Sequence, residues 1–254
     1  MKHIQLVVFD MSGTTVVDKS EVLDCFFEAA VQYGINTTPE HINTMMGWSK
    51  IEVFRTLLRE ELGDDHPEIE IRAQRVFKYF RRILEAYYFN NPVDPTPGTM
   101  ALFYRLKSKG VKIALTTGFY REVTNILLYK LGWDIGLNRW KIGNGASVIN
   151  ASVTSDEVEK GRPAPDMIFR AMKLLNVSDP AQVIKIGDTP SDLKAGKNAG
   201  CAFTFGITSG SHSREELSVF PNDGLFHSME EVAAWFEEQE NAAPLRADHS
   251  PFKK

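Results

Sequence analysis

The sequence predicts an α/β fold, a parallel sheet with helices on both faces, interrupted after its first strand by an all-helical segment. Three observations lead there. Short apolar runs such as Leu6-Val7-Val8-Phe9 and Val183-Ile184-Lys185-Ile186 have the length and character of buried parallel strands. From Thr99 onward such runs alternate with segments of helical period, the pattern of successive βαβ units. Before that, from about Ser20 to Phe89, the chain carries helical periodicity alone. At 254 residues it is long enough for one large domain or for a core with a smaller insert.

The elements follow in order. Leu6–Phe9 is the first strand; it ends on Asp10, with the turn Gly13-Thr14 close behind. Ser20–Tyr33 places Val22, Cys25, Phe26, Ala29 and Ala30 at helical spacing, and Gly34 stops it. Helices are expected over Ser49–Glu61 and, strongly amphipathic, over Pro67–Phe89. The stretch Asn90-Asn91-Pro92-Val93-Asp94-Pro95-Thr96-Pro97-Gly98 holds too many prolines for a regular element and closes the insert. Beyond it come helix Thr99–Lys109, strand Val111–Leu115, helix Arg121–Leu131 and strand Ala151–Thr154. Helix Asp166–Leu175, strand Val183–Ile186, helix Ser191–Ala199 and strand Ala202–Phe205 complete the alternation. Residues 239–254 are polar, carry Pro244 and Pro251, and are expected to form a frayed tail. The division is therefore a sheet-bearing core from 1–16 and 94–254 and a helical insert from 17–93.

Bulk composition narrows the function classes. A hydrophobic fraction of 43% and a charged fraction of 24% are ordinary for a globular protein. A net charge of −4 argues against nucleic acid as a partner, which needs clustered positive charge. Arg72, Arg75, Lys78, Arg81 and Arg82 do gather, but acids flank them, and a solvated helix face is expected. Cys25 and Cys201 stand in apolar settings far apart, as free thiols rather than a disulfide. No apolar run reaches the roughly 18 residues of a membrane span, and the first residues lack a signal-peptide pattern. A cytoplasmic location is the expectation. None of the six histidines has metal-site spacing, so zinc is unsupported. His212 reads as part of a solvated loop, and Tyr120 and Arg121 as helix-start packing.

Chemistry gathers at strand ends. In open α/β sheets ligands sit at the carboxyl ends of strands, where Asp10 stands. Gly187-Asp188-Thr189-Pro190-Ser191-Asp192 repeats the design with two acids four residues apart. Two such clusters on one sheet edge suit Mg²⁺, which takes oxygen ligands and binds through one or two carboxylates plus substrate phosphate. Strand-end capping explains either acid alone, but not the set.

Asp10 with Gly13-Thr14, then Thr116-Thr117-Gly118, Gly161-Arg162-Pro163 and Gly187-Asp188…Asp192 resemble, in order, the four motifs of the haloacid dehalogenase superfamily. The resemblance implies a Rossmann-like core with a helical cap, and a Mg²⁺-dependent hydrolase acting through an aspartyl phosphate. It makes Asp10 the nucleophile, and Asp10, Asp188 and the backbone carbonyl of Ser12 the metal ligands, with Asp192 supporting them from behind. The Thr116 hydroxyl and backbone N–H groups around Gly13, Thr14, Thr117 and Gly118 would hold phosphoryl oxygens. Arg162 stands where most members carry lysine and would pair with the nucleophile and the phosphoryl group.

Ser12 departs from the pattern. Phosphatases of the superfamily carry a second aspartate there, which protonates the leaving oxygen. Losing a general acid costs about 10²–10⁴ in rate, or roughly 3–5 kcal/mol of barrier. The phosphonatase branch has a small residue at that place, an arginine in its Gly-Arg-Pro motif, and a cap lysine in Met-Gly-x-x-Lys. This chain reads Met46-Gly47-Trp48-Ser49-Lys50. In that branch the lysine forms a Schiff base with an aldehyde, and cleavage of the P–C bond leaves an enamine that needs no acid. Lys50 has two readings, Schiff-base amine or cation contacting substrate. Val53 and Ser20 stand where the branch has histidine and cysteine, so a relative acting on a small 2-oxo phosphonate is expected. Phosphate monoester hydrolysis is the alternative, and an inactive binding module of this fold is the third reading. Met46 with Gly47, and also Met45 and Trp48, are candidates to line the pocket. The joints of a closing cap are expected near Thr15–Asp18 and Asn90–Pro97, in a monomer or in a homodimer formed through the cap.

Overall fold

The computed structural model describes residues 4–241. Six strands form one wholly parallel sheet: β1 (Leu6–Phe9), β2 (Lys112–Thr117), β3 (Ala151–Thr154), β4 (Val183–Gly187), β5 (Phe203–Ile207) and β6 (Gly224–Phe226). Their order is β3-β2-β1-β4-β5-β6. The chain builds to one side of β1 first and then returns to the other, so the crevice where ligands bind in such sheets opens beside β1. Phe9 lies level with Leu115 on β2 and Ile186 on β4, which brings the three strand tips together.

Alternation along β1 sorts its side chains onto two faces. Val7 and Phe9 join the larger core with Phe103, Val123, Leu127 and Val232, from α5 (Thr99–Ser108), α6 (Arg121–Leu131) and α10 (Met229–Asn241). Leu6 and Val8 face a smaller core against α7 (Asp166–Leu174) and α8 (Pro190–Ala199). Every β1 side chain is buried, which is why the run is continuously apolar.

Four helices form the cap layer: α1 (Glu21–Gln32), α2 (Pro39–Asn43), α3 (Lys50–Leu62) and α4 (Ile69–Asn90). Phe26, Phe54 and Phe80 meet at its centre, with ring centroids 4.3–5.6 Å apart. Truncating one such fully buried ring costs about 3–5 kcal/mol. The two segments joining these helices to the sheet pair with each other. Val17 N–H donates to the Asp94 carbonyl (3.0 Å), and Thr96 N–H to the Thr15 carbonyl (3.1 Å).

The structure corrects several expectations. β2 runs on through Thr116 and Thr117, because β3 offers both a partner. The short elements α2, α9 (Arg214–Ser218) and β6 carry too few residues to show a period. Residues 239–241 are the last turn of α10 rather than tail; the remainder of the expected tail, 242–254, lies outside the described residues. On the basic face of α4, Arg72 pairs with Glu61 and Arg81 with Glu85, while Arg82 stacks on Tyr79. Cys25 and Cys201 are free. Among the described residues, no helix is long and apolar enough to cross a membrane.

Candidate active site

Asp10 is the first residue past β1, and its N–H donates to the Ile186 carbonyl of β4 (2.9 Å). Its Oδ1 accepts from Arg162 Nη2 at 2.6 Å. The other terminal nitrogen, Arg162 Nη1, donates to Asp192 Oδ1 at 2.5 Å. Asp192 stands in the first turn of α8, which Thr189 caps and Pro190 begins, both favoured in those places. The cap ties Asp192 down: its N–H donates to Thr189 Oγ1 (3.3 Å), and Thr189 Oγ1 donates to Asp192 Oδ2 (2.6 Å). Lys185 Nζ meets Asp192 Oδ1 at 2.7 Å.

Asp188 is held without a cation. Thr14 Oγ1 donates to its Oδ1 (3.0 Å), and Ser211 donates to Oδ2 through both N–H (2.8 Å) and Oγ (2.7 Å). Gly13 makes the approach possible. Its φ of 79° is left-handed, and a Cβ there would lie 2.2 Å from Asp188 Oδ2.

One carboxylate oxygen each from Asp10, Asp188 and Asp192 lies within 4.8 Å of the others. Burial pushes the Asp10 carboxyl well above the carboxylate range, against the pull of Arg162, and Asp192 and Asp188 add to the rise. Burial and Asp192 push Asp188 up to about 6. Burial raises Asp192 too, but Arg162 and Lys185 outweigh it and hold that carboxyl below its usual value. Two carboxylates short of positive charge, beside a third that is fully matched, are a donor set that fits a divalent cation on Asp10 and Asp188.

A narrow cavity opens over Asp10 and is lined by Ser12, Asp18, Val22, Met46, Gly47, Lys50, Thr117, Gly118, Phe119, Arg162, Thr189 and Ser211. The cap segment ahead of α3 closes it. At Gly118 a Cβ would sit 2.4 Å from the Trp48 carbonyl oxygen, so the two backbones touch. Ser191 Oγ donates to the Met46 carbonyl at 3.5 Å.

Lys50, the first residue of α3, is 5% exposed. Its Nζ lies 4.9 Å from the Phe119 ring centroid and 5.4 Å from that of Phe26, and makes no hydrogen bond or ion pair among the described residues. Burial, reinforced by Arg162 and opposed by Asp10, Asp18 and Asp188, brings its amine down to about 8.

Other candidates fall elsewhere. Thr116 turns away from the cavity: its Oγ1 donates to the Phe9 carbonyl (3.4 Å) and accepts from Lys185 (3.3 Å). Neighbouring strand residues face opposite ways, so Thr117 takes the cavity side. Thr14 holds Asp188 and is fully buried. Met45 is core, and Trp48 lines a separate groove with Glu159 and Lys160. His212 is buried, not solvated, and its Nδ1 meets Ser211 Oγ at 3.1 Å. Tyr120 and Arg121 are packing residues, Tyr120 against Phe77 and Arg121 on Glu157. Sequence reasoning passed over Asp18, Phe119, Lys185 and Ser211. A lysine inside an otherwise apolar strand was the available signal for Lys185.

Residues 4–200 match the family described as haloacid dehalogenase-like hydrolase. The chain belongs to that family. It is a hydrolase, and its relatives include phosphonoacetaldehyde hydrolases. The one from Bacillus thuringiensis (strain Al Hakam) is 31% identical over 247 residues, covering 92% of this chain and 89% of the relative. Among solved structures, a phosphonoacetaldehyde hydrolase-like protein from Oleispira antarctica superposes with a TM-score of 0.74 at 20% identity. The match covers 94% of this chain and 93% of that one. A hydrolase from Pseudomonas syringae gives 0.73 at 21% identity, covering 92% and 98%. At such identities the two structures speak for the fold.

Proposed function

We propose that the protein cleaves the P–C bond of a small 2-oxo phosphonate, with Asp10 as nucleophile and Lys50 as Schiff-base amine. One observation carries the reading: a buried amine without a partner, on the cap side of the cavity that Asp10 lines from the core side. A surface lysine would seek water, and a structural one would seek a carboxylate. Lys50 has neither. With its amine near 8, part of it is a free nucleophile at neutral pH.

The steps balance. The Lys50 amine adds to the carbonyl carbon and water leaves, giving a protonated imine. Asp10 attacks phosphorus, and the P–C electron pair moves into the imine to leave an enamine on Lys50. Water hydrolyses the aspartyl phosphate to free phosphate. The enamine takes a proton on carbon, and a second water releases the aldehyde and restores the amine. Arg162 orients Asp10 and shares the phosphoryl charge, and Thr117 with the backbone at Gly118 holds phosphoryl oxygens. Mg²⁺ on Asp10, Asp188 and the Ser12 carbonyl would neutralise the charge that the phosphoryl group brings. The position 12 acid is not required, because the leaving group is carbon.

Borohydride added during turnover of phosphonoacetaldehyde should fix a two-carbon adduct on Lys50, detected by peptide mass spectrometry. Turnover without any adduct sinks the Schiff base. A second reading, hydrolysis of phosphate monoesters, is favoured by Asp18, whose carboxylate lines the cavity and accepts from Ser12 Oγ at 3.3 Å. A carboxyl group thus stands near the place where the sequence alone has none. Comparing kcat/KM for phosphonates and esters separates the two.

A further inference from the structure

Lys185 lies in the middle of β4 with its side chain wholly removed from solvent. It is outside the cavity lining, and the chemistry above gives it no task. An ammonium buried in a strand is costly unless its charge is matched. Here Nζ meets Asp192 Oδ1 at 2.7 Å, Thr116 Oγ1 at 3.3 Å and the Ile186 carbonyl at 3.1 Å. Asp192 Oδ1 is also the acceptor for Arg162 Nη1, and Arg162 Nη2 reaches Asp10. Four charges therefore alternate in sign along one buried line, from Lys185 through Asp192 and Arg162 to Asp10.

We infer that Lys185 is a positioning residue, holding Asp192 and Thr116 so that the shared Arg162 guanidinium keeps Asp10 aligned for attack on phosphorus. Arg162 Nε is buried with no partner among the described residues, so the terminal nitrogens decide where the guanidinium rests. With Lys185 replaced by an apolar residue, Asp192 retains a single buried cation and draws the guanidinium toward itself, away from Asp10. Thr116 loses the donor on its hydroxyl at the same time, one residue before the cavity-lining Thr117. The inference holds for carbon and for oxygen leaving groups alike, because Asp10 attacks in both.

The test is Lys185→Met with two readouts. Turnover is followed with phosphonoacetaldehyde and with p-nitrophenyl phosphate; beryllofluoride binding at Asp10 in Mg²⁺, followed by fluorine NMR, needs no turnover. A displacement of about 1 Å in such a group costs roughly 10²-fold, so kcat should fall by about that factor while KM moves by less than about threefold. Beryllofluoride should bind at least roughly tenfold more weakly. Since a lone buried Asp192 could prevent folding, Asp192→Asn and Lys185→Met/Asp192→Asn are compared as well, the double variant being free of the unmatched charge. If Lys185 works through Asp192, its removal adds less than about twofold to the loss already caused by Asp192→Asn. A folded Lys185→Met protein within about twofold of the parent in both readouts overturns the inference. So does a double variant that loses about a further tenfold.

Discussion

The two walls of the cavity treat buried charge in opposite ways. On the core wall Lys185 and Arg162 alternate with Asp192 and Asp10, and Asp188 has no cation beside it among the described residues. Hydroxyls and a backbone N–H also donate to Asp188 and Asp192. On the cap wall Lys50 faces two phenylalanine rings and makes no hydrogen bond or ion pair among the described residues. A satisfied network holds its geometry, whereas a lone buried amine escapes its cost by giving up its proton. On the proposed function, the contrast leaves rigid alignment to the core and reactivity to the cap.

The strongest way to break the core wall is Asp10→Asn, which removes the proposed nucleophile and should lower phosphate release by roughly 10⁴-fold or more. Malachite-green assay and loss of beryllofluoride binding check it. Lys50→Met breaks the cap wall. On a phosphonate it should cost roughly 10³-fold or more, yet raise the melting temperature, because an unfavourable buried charge is gone. The sign follows from linkage. The folded-state value near 8 lies below the unfolded 10.5, so the penalty is complete below pH 8 and fades as pH rises toward 10.5. The gain from Lys50→Met should therefore be largest below pH 8 and shrink above it; a variant less stable than the parent at pH 7 would contradict the contrast.

The same amine sharpens the comparison through rate. Imine formation needs the free base, so kcat/KM for a phosphonate should rise about tenfold per pH unit below about 8 and level off above. An ester substrate should lack that limb. The smallest effect is expected where the walls meet. Gly118→Ala puts a methyl group against the Trp48 carbonyl, props the cap open and should lower kcat/KM by roughly tenfold with Asp10 chemistry intact. Unchanged beryllofluoride binding with reduced turnover is the signature to look for.

Legibility tracked sequence distance. Asp10 and Asp188 could be read because each ends an apolar strand and sheet ligands gather there. Arg162 and Lys50 were readable through motif spacing. The choice between Thr116 and Thr117 was not, since which one faces the cavity depends on the parity of β2 against β1. Ser211 reaches Asp188 only because the loop after β5 folds back across the crevice, and no local period encodes that return. Asp18 belongs to the site because its linker is pinned by the Val17–Asp94 pairing between distant segments.

The sequence by itself determined the parallel sheet, the helical insert and the strand-tip acids, since these follow from periodicity and from turn residues acting over a few positions. Only the tertiary structure decided which charges meet. Lys185, Asp192, Arg162 and Asp10 come from the middle of β4, the first turn of α8, the loop ahead of α7 and the end of β1, and their balance exists only at contact distance. The solitude of Lys50 is likewise a property of what surrounds it, and burial, unlike periodicity, is not written in any one segment.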